Sequence, residues 1–259
     1  MSGAVALATI THGTPTERPP LVIAHGLFGS GRNWGVIAKR LSHDRLVVAV
    51  DMRNHGDSPR NPSHGYEEMA TDLAAVVEGL GGRAAVLGHS MGGKASMMLA
   101  ITRPDLVERL VIADIAPIAY DHDQLVYVRA MRGVDLAGVT RRSEVDARLA
   151  ETVDDAALRA FFLQSVAFAE EGARWKLDLE TLGREMPRIM AFPPVSGRFE
   201  GPALFVTGAH SSYVRPEHWQ RIATLFPAAQ RRVIPAAGHW LHAEAPGPFI
   251  EAVAAFLTS

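Results

Sequence analysis

The chain contains no cysteine. Disulfides, thiol catalysis and thiolate metal sites are thereby excluded, while the redox compartment stays open. An excess of either charge is also missing: 26 Lys and Arg stand against 28 Asp and Glu, for a net charge of −2. Neither nucleic acid nor an acidic membrane is expected as a partner on electrostatic grounds. Nowhere does the sequence approach the ~18 uninterrupted apolar residues of a membrane-spanning helix. Its first residues, Met1 to Ile10, lack a basic segment ahead of their short apolar run, so they read as a strand and not as a signal peptide. Internal repeats and low-complexity tracts are absent as well. A cytoplasmic protein without a membrane span is the expectation.

What is present suits one α/β core with an insertion: 259 residues, 47% of them hydrophobic. Leu21 to Ala24, Leu46 to Val50, Ala84 to Leu87 and Leu110 to Ala113 read as short, continuously apolar strands. Helices are expected between them near Asn33 to Arg40, over Tyr66 to Glu78, and behind Ser90 up to Pro104. This alternation implies a mostly parallel sheet covered by helices on both faces. From about Ala119 to Arg198 the rhythm changes. Four helical stretches follow, Gln124 to Arg132, Ser143 to Glu151, Ala156 to Glu170 and Leu179 to Met190, with no strong strand among them. The βα pattern returns with a strand at Ala203 to Thr207, a helix over Pro216 to Leu225, a strand at Arg232 to Ile234 and a helix near Pro248 to Leu257. The expected organisation is a core of residues 1–118 and 199–259 and a helical cap of residues 119–198.

Gly88-His89-Ser90-Met91-Gly92 falls where an apolar strand stops and a helix begins at once. That is the setting of a nucleophile elbow, whose glycines admit a turn too tight for bulky neighbours and push the serine hydroxyl out of the sheet. The helix behind Ser90 aims unpaired N–H groups and its positive dipole end at the same place. A plain Gly-rich turn with a helix-capping serine would look similar in isolation. The rest of the chain favours the nucleophile. Lys94, on the same helix, is assigned to packing or solvent contacts and not to catalysis.

Ligands of open parallel sheets bind outside the carboxyl ends of the strands, so the residues after each strand matter most. After the first core strand comes His25-Gly26-Leu27-Phe28-Gly29, a glycine-rich loop able to supply a backbone donor to an oxyanion. Leu27 is the expected donor, with Phe28 as the alternative, and the Met91 N–H is the second. His239, after the last strand, is the candidate base. His242 is a rival expected in the following helical turn, and His89 adjoins Ser90 on an elbow whose side chains diverge. The usual acid position, after the Ala203 to Thr207 strand, reads Gly208-Ala209-His210-Ser211-Ser212-Tyr213 and holds no carboxylate. Asp114, directly after the preceding strand, keeps the chain order serine, acid, histidine and could orient His239. Ser211 is expected to hydrogen-bond the imidazole as a supporting fourth member. The polar loop Asp51 to Ser58 offers one histidine amid turn residues, a poor metal ligand set. It reads as a structural loop bordering the site, and neither metal nor cofactor is expected.

With these residues in view, the chain resembles the α/β-hydrolase superfamily, and within it the family of YbfF-type bacterial esterases and abhydrolase-domain-containing 11 proteins. The matching segments are His25 to Ser30, Asp51 to Gly56, Gly88 to Lys94, Asp114 to Pro117 and Gly238-His239-Trp240. The resemblance implies cofactor-free hydrolysis of acyl esters beneath a small helical cap, with Asp114 and Ser211 where those esterases keep an unusual acid and a supporting serine. The short N-terminal hairpin leaves a sheet of seven or eight strands. A serine carboxylesterase for short- to medium-chain acyl esters is therefore expected, as a monomer or homodimer. Thioester, lactone or carbon–carbon hydrolysis and perhydrolysis would use the same constellation, and a ligand-binding module could retain the scaffold. Phe28, His89, Tyr120 and Trp240 are the expected substrate contacts, with Phe161, Phe162, Trp175 and Phe192 as further wall candidates.

Overall fold

A computed structural model describes residues 3–121, 124–170 and 172–258. Seven strands form one sheet: β1 (Thr9–His12), β2 (Leu21–Ala24), β3 (Val47–Val50), β4 (Ala84–His89), β5 (Val107–Ala113), and, beyond the inserted segment, β8 (Ala203–Gly208) and β9 (Ala229–Ile234). Their order is β1-β3-β2-β4-β5-β8-β9. Only β1 runs antiparallel, against β3. The expected strand at the N-terminus thus begins at Thr9, and Met1 and Ser2 lie outside the described residues.

Strands buried on both faces need apolar residues at every position, which is how β2 and β3 read, and the Ala84 to Leu87 and Leu110 to Ala113 stretches of β4 and β5. In β2, Val22 and Ala24 join one core while Leu21 and Ile23 join the other. The same parity splits Val86 from Leu87 in β4 and Ile112 from Val111 in β5. The first core includes residues of α2 (Tyr66–Gly79) and α3 (Met91–Thr102); the second, those of α1 (Gly35–Leu41) and α10 (Pro246–Thr258). Among the described residues, no helix is long and apolar enough to cross a membrane.

Between β5 and β8 lie α4 (Leu125–Gly133), α5 (Arg142–Leu149), α6 (Ala156–Leu163) and α7 (Leu179–Met190). One expectation fails here. The helix read over Ala156 to Glu170 ends at Leu163, and an antiparallel hairpin follows, β6 (Val166–Ala169) with β7 (Gly172–Trp175). A mostly apolar run, with only Arg159, Gln164 and Ser165 polar between Ala156 and Ala169, cannot distinguish helix from strand by periodicity. Here Val166 and Phe168 favour the pleated state, and Gly172 adopts a φ of 112° that L side chains rarely take. After β8 come α8 (Trp219–Leu225) and, past β9, the short α9 (Leu241–Glu244).

Candidate active site

Ser90 sits between β4 and α3 at φ 51° and ψ −118°. A non-glycine residue held there stores about 1–3 kcal/mol of strain, so its surroundings must enforce it. They do so through close approach. A Cβ on Gly88 would lie 2.3 Å from the Gly92 carbonyl oxygen, and one on Gly92 would lie 2.4 Å from that of Ala24. Ser90 N–H donates to Ala113 O at 3.1 Å, tying the elbow to β5. Met91 opens α3, so its N–H is one of the donors a helix start leaves unpaired.

Asp114 follows β5 at φ 50° and is fully buried. Its Oδ1 accepts from Gly208 N–H at 3.1 Å, and its Oδ2 accepts from His239 Nδ1 at 2.8 Å. A carboxylate can only accept, so Nδ1 carries a proton, and in the neutral ring the lone pair then lies on Nε2. Ser211 Oγ also donates to Asp114 Oδ2, and accepts from Tyr213 N–H at 3.2 Å. The hydroxyl therefore meets the carboxylate, not the imidazole expected from sequence. The loop after β8 thus contributes two donors, Gly208 N–H and Ser211 Oγ, to the carboxylate that follows β5.

The His239 ring is fixed on further sides. Tyr213 stacks on it with centroids 3.7 Å apart and planes 13° from parallel. His89 Nε2–H donates to the His239 carbonyl at 2.9 Å. Glu244 accepts from Gly238 N–H at 2.7 Å and from Trp240 N–H at 3.3 Å, closing the loop that carries the histidine. His242 lies in α9, as expected, with its ring stacked on Trp34 at 4.2 Å. Burial pushes its pKa down to about 3.

In the loop after β2, Phe28 N–H is committed to His55 Nε2 at 3.1 Å. Among the described residues Leu27 N–H has no acceptor, which separates the two sequence alternatives by availability. His25 and His55 are buried neutral rings, their pKa values pulled down by burial to about 4 and about 3. Burial holds His64 and His89 well below the usual imidazole range too.

A cavity of about 330 Å³ brings these groups together. Ser90, His239, Leu27, Phe28 and Met91 line it, as do His89, Tyr120 and Trp240. From the inserted segment come Tyr127, Leu158, Phe161, Phe162, Ile189 and Met190. Trp175 and Phe192 do not: Trp175 is buried in β7, and Phe192 packs near Tyr66 at 6.4 Å. Tyr120 Oη donates to Tyr213 O at 2.7 Å, which ties it to the ring behind His239. Lys94 also lines the cavity but has no role in solvent, being 2% exposed. Its Nζ donates to Met190 O and Ala191 O at 3.0 and 2.7 Å, anchoring the end of α7, and burial lowers its pKa to about 7. Tyr213 and Lys94 could be seen in the sequence, but their roles depend on contacts between distant segments. No local pattern signals them.

Comparison with known proteins agrees with this architecture. The sequence profile of the alpha/beta hydrolase family matches residues 21–252. The chain belongs to that family. It is 42% identical over 250 residues to the sn-1-specific diacylglycerol lipase ABHD11 of Mus musculus, covering 92% of this chain and 81% of the relative. Esterase YbfF of Escherichia coli is 36% identical over 242 residues, covering 92% of each chain. Among solved structures, a marine microorganism esterase superposes with a TM-score of 0.93 at 34% identity, covering 98% of this chain and all of that one. Like these relatives, the protein is a hydrolase of the esterase and lipase kind.

Proposed function

We propose that the protein is a serine carboxylesterase acting on short- to medium-chain acyl esters through an acyl-enzyme on Ser90. Ser90 Oγ attacks the ester carbonyl carbon while His239 Nε2 takes its proton. The carbonyl electron pair moves onto oxygen, where Leu27 and Met91 N–H groups hold the negative charge. Collapse breaks the ester C–O bond, and the proton on Nε2 passes to the leaving alcohol. Water, deprotonated by the same nitrogen, then attacks the acyl carbon and frees the acid and Ser90. Asp114 holds the ring in the required tautomer and stabilises the imidazolium that forms in each half. Residues 119–198 act as the cap that shapes the acyl site.

One observation carries this reading: the 2.8 Å contact between Asp114 and His239 Nδ1, which in the neutral ring directs the Nε2 lone pair to act as base in a cavity shared with Ser90. The preference for modest chains rests on volume. At about 330 Å³ the cavity is near the small end of ligand pockets, which begin around 300 Å³. The cytoplasm is the proposed location.

The test is hydrolysis of p-nitrophenyl esters from acetate to palmitate, with Ser90→Ala as control. Activity with an optimum well short of palmitate is expected, and Ser90→Ala should lose on the order of 10⁴-fold or more in kcat. Equal turnover by the variant, or none on any ester by the folded wild type, would overturn the reading.

A further inference from the structure

The turn that presents Leu27 N–H is closed by Gly29 N–H donating to Gly26 O at 3.0 Å. Phe28, its third residue, has φ 64°, a conformation such turns ordinarily reserve for glycine or asparagine. Turns of this closure exist in two forms related by a flip of the central peptide, here Leu27–Phe28. The form seen is the one a phenylalanine disfavours. Something outside the turn must select it.

His55 is the group in position to do so. It is fully buried, outside the cavity wall, and its Nδ1–H donates to Arg53 O at 2.9 Å. That fixes the tautomer and leaves Nε2 as an acceptor for Phe28 N–H at 3.1 Å. A flipped peptide would turn the Leu27 carbonyl oxygen towards the same lone pair, replacing attraction with repulsion. Two neighbouring histidines brace the same region. His25 Nδ1–H donates to Gly26 O at 2.7 Å, and His64 Nε2–H approaches Met91 Sδ at 3.3 Å. Their rings lie 5.1 and 5.5 Å from that of His55. Each member of this buried row therefore touches a segment that carries an oxyanion donor.

We infer that His55 is a positioning residue for the oxyanion hole: its Nε2 holds Phe28 N–H away from the cavity and locks the turn with Leu27 N–H as its uncommitted donor. This rests on the proposed esterase reading. A merely space-filling histidine would be replaced equally well by any side chain of similar volume. A positioning acceptor would not.

The test compares His55→Leu, which keeps bulk without an acceptor, with His55→Gln, whose Oε1 reaches the position of Nε2. His55→Leu should lower kcat by about 10- to 100-fold, short of the 10²- to 10³-fold cost of deleting an oxyanion donor outright. KM should change little, and affinity for a trifluoromethyl ketone analogue of the tetrahedral intermediate should fall with kcat. His55→Gln should recover most of both. Equal kcat in the two variants, impaired or not, would overturn the inference. A readout independent of variants and of activity is the through-hydrogen-bond ¹⁵N–¹⁵N coupling between Phe28 N and His55 Nε2 in the labelled wild type. Its presence supports the lock even if His55→Leu does not fold, and its absence refutes it. Loss of Ser90-dependent turnover in the wild type would instead mark failure of the esterase reading alone.

Discussion

The cavity has one wall built from the ends of the sheet strands and another built from the segment between β5 and β8, and the two are held by different means. On the strand side the backbone itself is fixed. Phe28, Ser90 and Asp114 have φ between 50° and 64°, each lining the cavity or bonded to His239. Polar contacts there are dense, with three donors converging on the Asp114 carboxylate. The opposite wall offers ring faces: Phe162 meets Phe28 edge-on at 5.5 Å, and Phe161 lies 6.1 Å from Trp240. Polar bonds join it to the core beside the cavity as well, among them Ser165 Oγ to Phe28 O, Tyr66 Oη to Ile189 O, Asn33 Nδ2 to Gln164 Oε1 and Lys94 to the end of α7. On the proposed function, the reacting groups lie on the strand-end wall, and the ring faces of the other wall shape the acyl site.

Substitutions on the two walls should separate these roles. The largest effect is expected at Asp114. Asp114→Asn keeps the side-chain shape but removes the charge and the tautomer preference, so kcat should drop by on the order of 10⁴-fold. Ser211→Ala leaves that carboxylate its contact with His239 and should cost far less, a contrast steady-state kinetics would read directly.

Acid should act next, chiefly through buried histidines. His25, His55, His64, His89 and His242 all sit on core elements, and burial depresses every one of their pKa values. The unfolded chain, with imidazoles near pH 6.5, binds protons that the folded chain refuses. Stability is thus full above about pH 6.5 and falls with pH below it, by up to about 2 kcal/mol per histidine at pH 5. Thermal unfolding across pH 5 to 8 should show a steep decline on the acid side. A flat profile would mean these rings are accommodated in their charged form.

The smallest effect belongs to the other wall. Phe161→Ala enlarges the cavity without touching the strand ends, so the optimum should move to longer acyl chains. Relative kcat/KM between neighbouring chain lengths should change by about tenfold, the scale of a methylene or two in an apolar pocket. An unchanged chain-length profile would remove the inserted segment from substrate selection.

How much of this was legible in the sequence follows from how local each feature is. The sheet is legible because β2, β3 and the Ala84 to Leu87 and Leu110 to Ala113 stretches of β4 and β5 are buried on both faces and therefore continuously apolar. Ser90 could be picked out because strand, turn glycines and helix are consecutive. Asp114 needed a different clue, the absence of a carboxylate between Gly208 and Tyr213, and chain order then pointed one strand back. The β6–β7 hairpin is hidden in the sequence because Gln164 and Ser165 are the only polar residues from Ala160 to Ala169, too few to set a period that distinguishes strand from helix. Sequence points Ser211 at the imidazole because it cannot show that the hydroxyl meets the Asp114 carboxylate first. The stacking of Tyr213, the anchoring by Lys94 and the bond from Phe28 to His55 join residues far apart in the chain. Such pairings exist only once the sheet is assembled.

The most direct test of the division between the walls is labelling with a fluorophosphonate, followed by peptide mass mapping and by rates for the wild type, Asp114→Asn and Phe161→Ala. The account predicts one adduct, on Ser90, formed much more slowly when Asp114 is replaced and at a nearly unchanged rate when Phe161 is. An adduct on another residue, or a rate that follows Phe161 and ignores Asp114, would contradict it.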